Sequence, residues 1–161
     1  MQYSFSELQQ SIPQQGTVKA LYIRPAKYVD PQLVKTVQVS QQYGLEGDHY
    51  HSTTSKQRQV TLIQYEHINV IASLLERESL DAQLLRRNIV VAGINLLALK
   101  DQEFTIGSAR LKMTGLCHPC SRMEKTLGPG GYNAMRGHGG ITARVVADGV
   151  IQLGDIVSVI R

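Results

Sequence analysis

A strict alternation of apolar and polar side chains over residues 108–114 limits the folds open to this chain more than any other feature. Apolar residues at positions 109, 111 and 113 alternate with polar residues at 108, 110, 112 and 114. This period of two is typical of a strand with one buried and one solvated face. Similar short apolar segments lie at residues 17–23, 35–40, 60–63, 141–147, 150–153 and 156–160. We therefore expect a mainly β fold, either a barrel or a sandwich.

Local turn and helix signals divide the remaining sequence. Asp148-Gly149 favours a primed turn, so it predicts a tight hairpin between segments 141–147 and 150–153. Apolar residues at 68, 71, 74 and 75 have helical spacing and predict an amphipathic helix over 66–77. A shorter helix is expected between residues 79 and 88.

Length and composition favour one domain that binds a small anion. The chain has 161 residues, of which 42% are hydrophobic, and this suffices for one core. Polar residues 1–15 are expected to form an N-terminal tail or cap, and residues 16–161 the domain. The net charge is +4, but the basic residues are scattered and aromatic residues make up only 6%, so we expect no nucleic-acid partner.

The N-terminus and the cysteine count indicate a cellular location. Residues 1–10 contain neither a basic region nor a long apolar run, and no window of the sequence reaches transmembrane length. Two closely spaced cysteines are too few to staple a secreted fold. We therefore expect a cytoplasmic protein that does not associate with a membrane.

Both cysteines lie in Cys117-His118-Pro119-Cys120, just before a glycine-rich run over residues 128–140. Two soft sulfur donors with an imidazole and nearby arginines are suited to a metal, a reactive sulfur or an electrophile. Pro119 predicts the start of a short helix with Cys120 in its first turn. The glycine-rich run predicts either a flexible lid over a ligand or a long surface loop.

Three further segments carry side chains with chemical potential, at residues 44–51, 58–63 and 86–93. The first contains His49 and His51, a pair that either binds a metal or remains exposed to solvent. The other two contain arginines, whose planar forks suit a phosphate or a carboxylate. Pairing of each arginine with a surface acid is the alternative.

Taken in order, six segments resemble the MOSC domain, a family named after the C-terminal domain of molybdenum cofactor sulfurase. They are GTVKALYIRP, GLEGDHYH, RQVTLI, RRNIVVAGINL, FTIGSARLKMTGLCHPCSRME and GGITARVVADGVIQLGDIVSVI. The resemblance covers residues 16–160 and is strongest with the short, stand-alone bacterial members. It implies a MOSC-like β-barrel with a few short helices, of mainly β (α+β) class, that binds the molybdenum cofactor (molybdopterin).

The resemblance also implies roles for individual residues. By position, the family's cysteine falls on Cys120, which would ligate molybdenum or carry sulfur, while Cys117 would be an extra thiol that resolves or protects it. The implied activity is reduction of N-hydroxylated compounds or sulfur transfer, by a catalyst or a carrier. It would require a small-molecule substrate and a separate electron-transfer or sulfur-donor protein. The implied cofactor-binding residues are Asp48, Arg58, Arg87, Asn88, Arg136 and Arg144.

A rival hypothesis is a non-enzymatic zinc-binding or thiol-redox module. In it, Cys117 and Cys120 would bind zinc together with His118, His49 or His51. One Cys-x-x-Cys pair supplies only two of the usual four ligands, and a thioredoxin-like role lacks its expected βαβ context. Inert, partly buried cysteines are a third alternative. Zinc would require both thiols, whereas the cofactor would require Cys120 and the arginines.

Overall fold

The computed structural model describes residues 2–50 and 55–161. The strands are β1 (Gly16–Ile23), β2 (Gln32–Val34), β3 (Thr36–Ser40), β4 (Gly44–Leu45), β5 (Val60–Gln64), β6 (Ile89–Ala92), β7 (Glu103–Ile106), β8 (Ala109–Leu116), β9 (Ile141–Ala147), β10 (Gly149–Gln152) and β11 (Ile156–Val159). The helices are α1 (Phe5–Gln10), α2 (Tyr65–Leu74), α3 (Ser121–Leu127) and α4 (Gly131–Met135), with 3₁₀ helices at Ala82–Leu85 and Leu96–Leu99. In this described part of the chain, no helix has the length and apolar composition needed to cross a bilayer.

Seven strands close into a barrel, in the order β1-β11-β7-β8-β9-β5-β6 and back to β1. Pairing of Gly16 with Val157 joins β1 to β11 and completes the ring. All neighbouring strands are antiparallel except β5 and β6. Strand β2 pairs with β1 and ends the larger sheet. The predicted mainly β barrel with a few short helices is therefore confirmed.

The alternation that predicted β8 also explains the barrel core. Ala109, Leu111 and Met113 are buried and belong to one apolar cluster with side chains such as Phe104 and Leu62. The intervening polar side chains of β8 are exposed or half-buried. Burial of a fully enclosed Leu or Phe side chain contributes about 1.5–3 kcal/mol, so this cluster is the main source of the barrel's stability.

A second apolar cluster lies between the strands and the helices outside the barrel. Ile68 and Ile71 of α2 contribute to it together with Ile63 of β5 and Val90 of β6. Helix α2 connects these two parallel strands, so the segment is a βαβ unit. The sequence pattern did not predict this unit. The first four residues of β5 are all buried because they face the core on one side and helices on the other.

The predicted hairpin at Asp148-Gly149 is wrong. Strand β10 pairs with β3 in a separate sheet of order β10-β3-β4, whereas β9 pairs with β8 and β5. The backbone of Gly149 lies so close to Ser108 and Ala109 that a Cβ atom would collide with them. Ile151 then packs into the main core. Burial of β10 against the core thus outweighs the local turn preference.

Three other segments differ from their sequence-based expectations. Helix α3 begins at Ser121, so Cys120 is its N-cap residue and does not lie in the first turn. The glycine-rich run is not one long loop, because it contains α4. Near the N-terminus, α1 forms with a capping box between Ser4 and Glu7, although all its residues are exposed. The division of the chain at residue 15 stays a prediction.

Candidate functional site

Cys120 lies where β8 leaves the barrel and α3 begins. The Cys117 amide donates a hydrogen bond to the Gly140 carbonyl, which fixes the chain just after β8. Cys120 has an extended backbone (φ −131°), and its carbonyl accepts a hydrogen bond from the Met123 amide at 2.9 Å. The two cysteines have different surroundings, because Cys117 is buried and Cys120 is exposed. Cys120 is therefore the thiol available to a ligand.

A cleft of about 720 Å³ opens beside Cys120. Among the described residues that line it there is no carboxylate, and six of the eleven are arginine or lysine. A concave site of this size can hold a ligand the size of a drug or cofactor, and the unbalanced positive charge favours an anion. The lining residues are Arg24, Lys27, Tyr28, His49, Arg86, Arg87, Cys120, Ser121, Arg122, Met123 and Lys125.

Arg87 lies in the wall of this cleft and is fixed by neutral acceptors. It is 8% exposed, and its guanidinium donates to the carbonyls of Gly139 (2.8 Å), Leu85 (2.9 Å) and Cys117 (3.1 Å). Burial lowers the pKa of Arg87, and the sulfur of Cys117 opposes that shift without cancelling it. Carbonyl groups orient the side chain without neutralising it, so its positive charge adds to the field at this wall of the cleft.

Gly139 and Gly140 permit the close contacts around Arg87. A Cβ atom on Gly139 would collide with the Cys117 carbonyl, and one on Gly140 would collide with the Leu62 carbonyl. Gly140 also has φ +93°, a conformation that disfavours other residues. The glycine-rich run thus supplies backbone acceptors for both Arg87 and Cys117 at the edge of the cleft.

Arg24 is held in the cleft by the buried carboxylate of Asp48. Their ion pair measures 2.9 Å, and the side chains of Arg24 and Asp48 are 14% and 1% exposed. Burial alone would raise the pKa of the Asp48 carboxyl. The charge and hydrogen bonds of the Arg24 side chain, together with the amides of Arg24 and Tyr50, lower it by more, so the pKa lies below its usual value. Asp48 therefore remains ionised and orients Arg24.

Asn88 connects this ion pair to the barrel. Its side chain is fully buried, donates to Asp48 at 3.0 Å and to the Tyr22 carbonyl at 3.1 Å, and accepts hydrogen bonds from the amide and hydroxyl of Thr61. These partners come from β1, β5 and the Asp48 segment. Because the amide is already satisfied, Asn88 positions the ion pair and does not line the cleft.

Two arginines fix the loop that forms the cleft's outer rim. Arg86 donates to the Val29 carbonyl at 2.7 Å and to the Lys27 carbonyl at 3.1 Å, while Arg122 donates to the same Lys27 carbonyl at 2.8 Å. The Arg122 guanidinium carbon lies 5.1 Å from the Tyr28 ring centroid, within cation–π range. Burial, followed by the charge of Arg122, lowers the pKa of Arg86. This mutual repulsion would be relieved by a bound anion.

The structure brings only some of the predicted site residues together. Cys120 and Arg87 line the cleft, whereas Asp48 and Asn88 lie behind it. Arg58 is near the other thiol, with one guanidinium nitrogen 3.9 Å from the Cys117 sulfur.

Arg136 and Arg144 lie elsewhere. Arg136 is exposed and hydrogen-bonded to Asn133, and Arg144 lies in β9 opposite Lys112 of β8. Neither side chain is among those that line the cleft.

The two histidines of the 44–51 segment have different outcomes. His49 lines the cleft, and its Nδ1 lies 2.9 Å from the Arg24 carbonyl. His51 lies outside the described residues. Within residues 2–50 and 55–161, no three His, Cys, Asp or Glu side chains are grouped closely enough to hold a metal ion.

Arg24, Lys27, Tyr28 and Lys125 line the cleft and were missed as binding residues in the sequence. Arg24 had a local signal, since it directly follows a predicted strand and precedes Pro25. A side chain at a strand end is well placed to reach a ligand. The others lacked such a signal because their approach to Cys120 depends on the tertiary fold.

Comparisons with known proteins agree with this fold. The family model described as "MOSC domain" matches residues 48–158. The crystal structure of YuaD from Bacillus subtilis is similar, with a TM-score of 0.80 and 20% identity over 92% of this chain and 97% of that one.

YiiM from Geobacillus stearothermophilus gives a TM-score of 0.74 at 18% identity, covering 91% of this chain and 75% of that one. YiiM from Escherichia coli gives 0.68 at 16% identity, with coverages of 90% and 70%. A comparison with curated proteins found no match. The family match spans more than half of the sequence, and the chain therefore belongs to the MOSC domain family.

Proposed function

We propose that the cleft binds the molybdenum cofactor and that the Cys120 thiolate ligates molybdenum or carries sulfur for it. The observation that supports this proposal is an accessible thiol in a cleft whose described lining has six cationic side chains and no carboxylate. A thiolate is a soft donor suited to a metal such as molybdenum or to a persulfide. Guanidinium groups match the phosphate of a pterin cofactor by paired hydrogen bonds.

The donor set fits this cofactor better than a bare ion. A single accessible thiol is too few ligands for zinc, whose structural sites normally have four. The cofactor would bring its metal already bound, so the protein would need to supply only the Cys120 thiolate. In this proposal Arg87 and Arg24 hold the anionic part of the ligand, and Asp48 and Asn88 keep those arginines oriented.

We also propose three arginines that do not line the cleft as cofactor-binding residues: Arg58, Arg136 and Arg144. Arg58 contacts the buried Cys117 sulfur and is not among the side chains that line the cleft. Arg136 is exposed and hydrogen-bonded to Asn133, and we propose it only from its place in the glycine-rich run. We propose Arg144 only from its place in the family-like sequence.

The cofactor would supply redox or sulfur-transfer chemistry, and the protein would bind and orient it. We propose that the chain acts in reduction of N-hydroxylated compounds or in sulfur transfer, as an oxidoreductase or a sulfur carrier. Either role requires a small-molecule substrate and a separate donor protein. A cytoplasmic location is proposed on the same basis, since both cysteines are free thiols, as expected in a reducing compartment.

The test is cofactor content in wild type, Cys120→Ala and Cys117→Ala, each purified from cells that make the cofactor. Molybdenum is measured by elemental mass spectrometry and released pterin by fluorescence. We expect both in the wild type, loss of most molybdenum in Cys120→Ala, and retention in Cys117→Ala, because Cys117 does not line the cleft. Full molybdenum occupancy in Cys120→Ala would refute the role of this thiol.

A second outcome separates the zinc module from cofactor binding. Stoichiometric zinc without pterin, lost in both cysteine variants, would replace the proposed function with a metal-binding module. Thermal melting of each variant controls for misfolding, because a folded Cys120→Ala protein without molybdenum shows a ligand defect. Cys120 is exposed, so its truncation is expected to change stability by no more than about 0.5 kcal/mol.

A further inference from the structure

A second hollow of about 250 Å³ adjoins the cationic cleft. The two spaces share Tyr28, Arg86 and Arg122, so these side chains form the partition between them. The hollow also has apolar surface from Pro31 and Leu84. Its size would accept a single side chain and is too small for a cofactor.

Two exposed apolar side chains line this hollow, Tyr28 at 82% and Leu84 at 37% exposure. Val29 and Leu33, which lie close to Tyr28 in the sequence, are also exposed. We call these four residues together with Arg86 and Arg122 the docking patch. Exposed apolar side chains combined with tyrosine and arginine are typical of the energetic centre of protein interfaces.

The docking patch is preformed. Arg86 donates to the Val29 carbonyl, and the Gln83 side-chain amide donates to the Pro31 carbonyl at 2.6 Å. These bonds attach the loop before β2 to the 3₁₀ helix Ala82–Leu85. A surface that is already ordered loses little conformational entropy when a partner binds.

Charge selects the type of partner. Lys27 and Arg122 lie against the exposed Tyr28 ring, and Arg86 lines the same two spaces. Asp30 is the one carboxylate among the described residues that line the hollow. A second copy of this chain would bring the same cations and would be repelled. An acidic surface would be attracted and steered to the mouth of the cleft.

We propose that the docking patch binds an acidic electron-transfer protein, which places one apolar side chain in the hollow. This inference rests on the proposed function in its reductive form. Conversion of an N–OH group to N–H consumes two electrons and two protons and releases water, so a donor must approach Cys120. The patch borders the mouth of the cleft, and a protein docked there would lie beside the reacting centre.

The test uses Leu84→Glu, with Leu97→Glu as a matched control. Both leucines are partly exposed, at 37% and 40%, and both lie in 3₁₀ helices, but Leu97 contributes to neither the cleft nor the hollow. The probe is a purified flavodoxin, a small acidic electron carrier. Its dissociation constant is measured by calorimetry with the full chain, with and without bound cofactor, at low and high salt.

We expect flavodoxin to bind the wild type, with affinity that falls as salt increases. Leu84→Glu should weaken binding at least 10-fold, because its carboxylate opposes an acidic partner, and Leu97→Glu should change it less than twofold. Absence of flavodoxin binding, or equal effects of both variants, would overturn the proposal. Binding of phosphatidylglycerol vesicles in place of flavodoxin, lost in Leu84→Glu, would also overturn it and identify a lipid-binding surface.

These outcomes differ from failure of the proposed function. Absence of molybdenum and pterin in the wild type would refute cofactor binding, whatever flavodoxin does. Normal cofactor content with unchanged flavodoxin affinity in Leu84→Glu would refute only the docking patch. Leu84 does not line the cationic cleft, so its replacement should not alter cofactor content directly.

Discussion

Replacement of Asp48 by Asn tests whether a buried ion pair supports the cleft. The carboxylate is almost fully buried and receives hydrogen bonds from the Arg24 amide at 2.7 Å, Arg24 Nε at 3.1 Å, Arg24 Nη2 at 2.9 Å and Asn88 at 3.0 Å. Asn has nearly the same shape but is neutral. The variant would keep the volume of the site and leave the Arg24 charge unpaired in a largely buried position.

The expected loss is large for a single substitution. Removal of one partner from a buried ion pair typically costs about 3–5 kcal/mol, because the remaining charge stays buried without compensation. For a domain of this length, each kcal/mol lowers the melting temperature by about 2–4 °C. We therefore expect Asp48→Asn to lower it by roughly 6–20 °C.

Glu103→Gln is the matched control, because it neutralises an exposed ion pair. Glu103 lies 3.7 Å from Arg110, with both side chains well exposed, and such pairs contribute about 0–1 kcal/mol. Scanning fluorimetry and urea unfolding would measure both variants. If Asp48→Asn lost no more stability than Glu103→Gln, the ion pair would not support the fold as argued.

Acid unfolding gives an independent test of the same ion pair. The folded-state pKa of Asp48 is lowered, so its contribution is fully present above its unfolded-state pKa of about 3.9. The contribution is lost as the pH falls through the lower folded-state value. Asp48→Asn should remove this part of the acid dependence, and an unchanged slope below about pH 4 would contradict that explanation.

Two other features yield expected outcomes. Gly140→Ala should lower the free energy of unfolding, measured in urea, by at least about 2 kcal/mol, because φ is +93° and the new Cβ would collide with the Leu62 carbonyl. The control Gly137→Ala should lower it less, because φ is similar at +84° but no atom lies within 4 Å. Equal losses in the two variants would reject the steric argument. Burial, followed by the charge of His138, lowers the pKa of His67, so its stability contribution should decline as the pH falls below about 6.5. The melting temperature should fall less between pH 7.5 and pH 5.5 in His67→Gln than in the wild type. An identical fall in both proteins would exclude this effect.

The barrel was predictable wherever local pattern and tertiary burial agreed. The alternation over residues 108–114 identifies β8 correctly because one side of that strand faces the core and the other faces solvent. The hairpin prediction failed at Asp148-Gly149, because this favourable turn sequence joins two strands of different sheets. The turn signal is local, whereas the partner of β10 is decided by burial of Ile151 beside β3.

The site was harder to predict because its cations converge from distant positions. Arg24, Arg87 and Arg122 belong to three separate segments, and no sequence spacing indicates that they line one cleft. Asp48 and Asn88 were singled out from the family-like sequence as side chains near the site, and they lie behind the cleft. Their burial, which makes them supports for arginine, depends on the packing of β1 against β5 and β6 and is not visible in composition.

Closure of the barrel by its first and last strands has a consequence for synthesis of the protein. Gly16 and Thr17 pair with Val157 and Ile156, so the first two residues of β1 lack their partner on this edge until β11 has been synthesised, although β2 pairs with the far end of the same edge. At about 5–20 residues per second, the interval is roughly 7–30 s. During that time an unpaired strand edge can recruit other chains. Slower translation of the last strand should therefore increase co-translational aggregation more than the stability of the finished barrel would suggest.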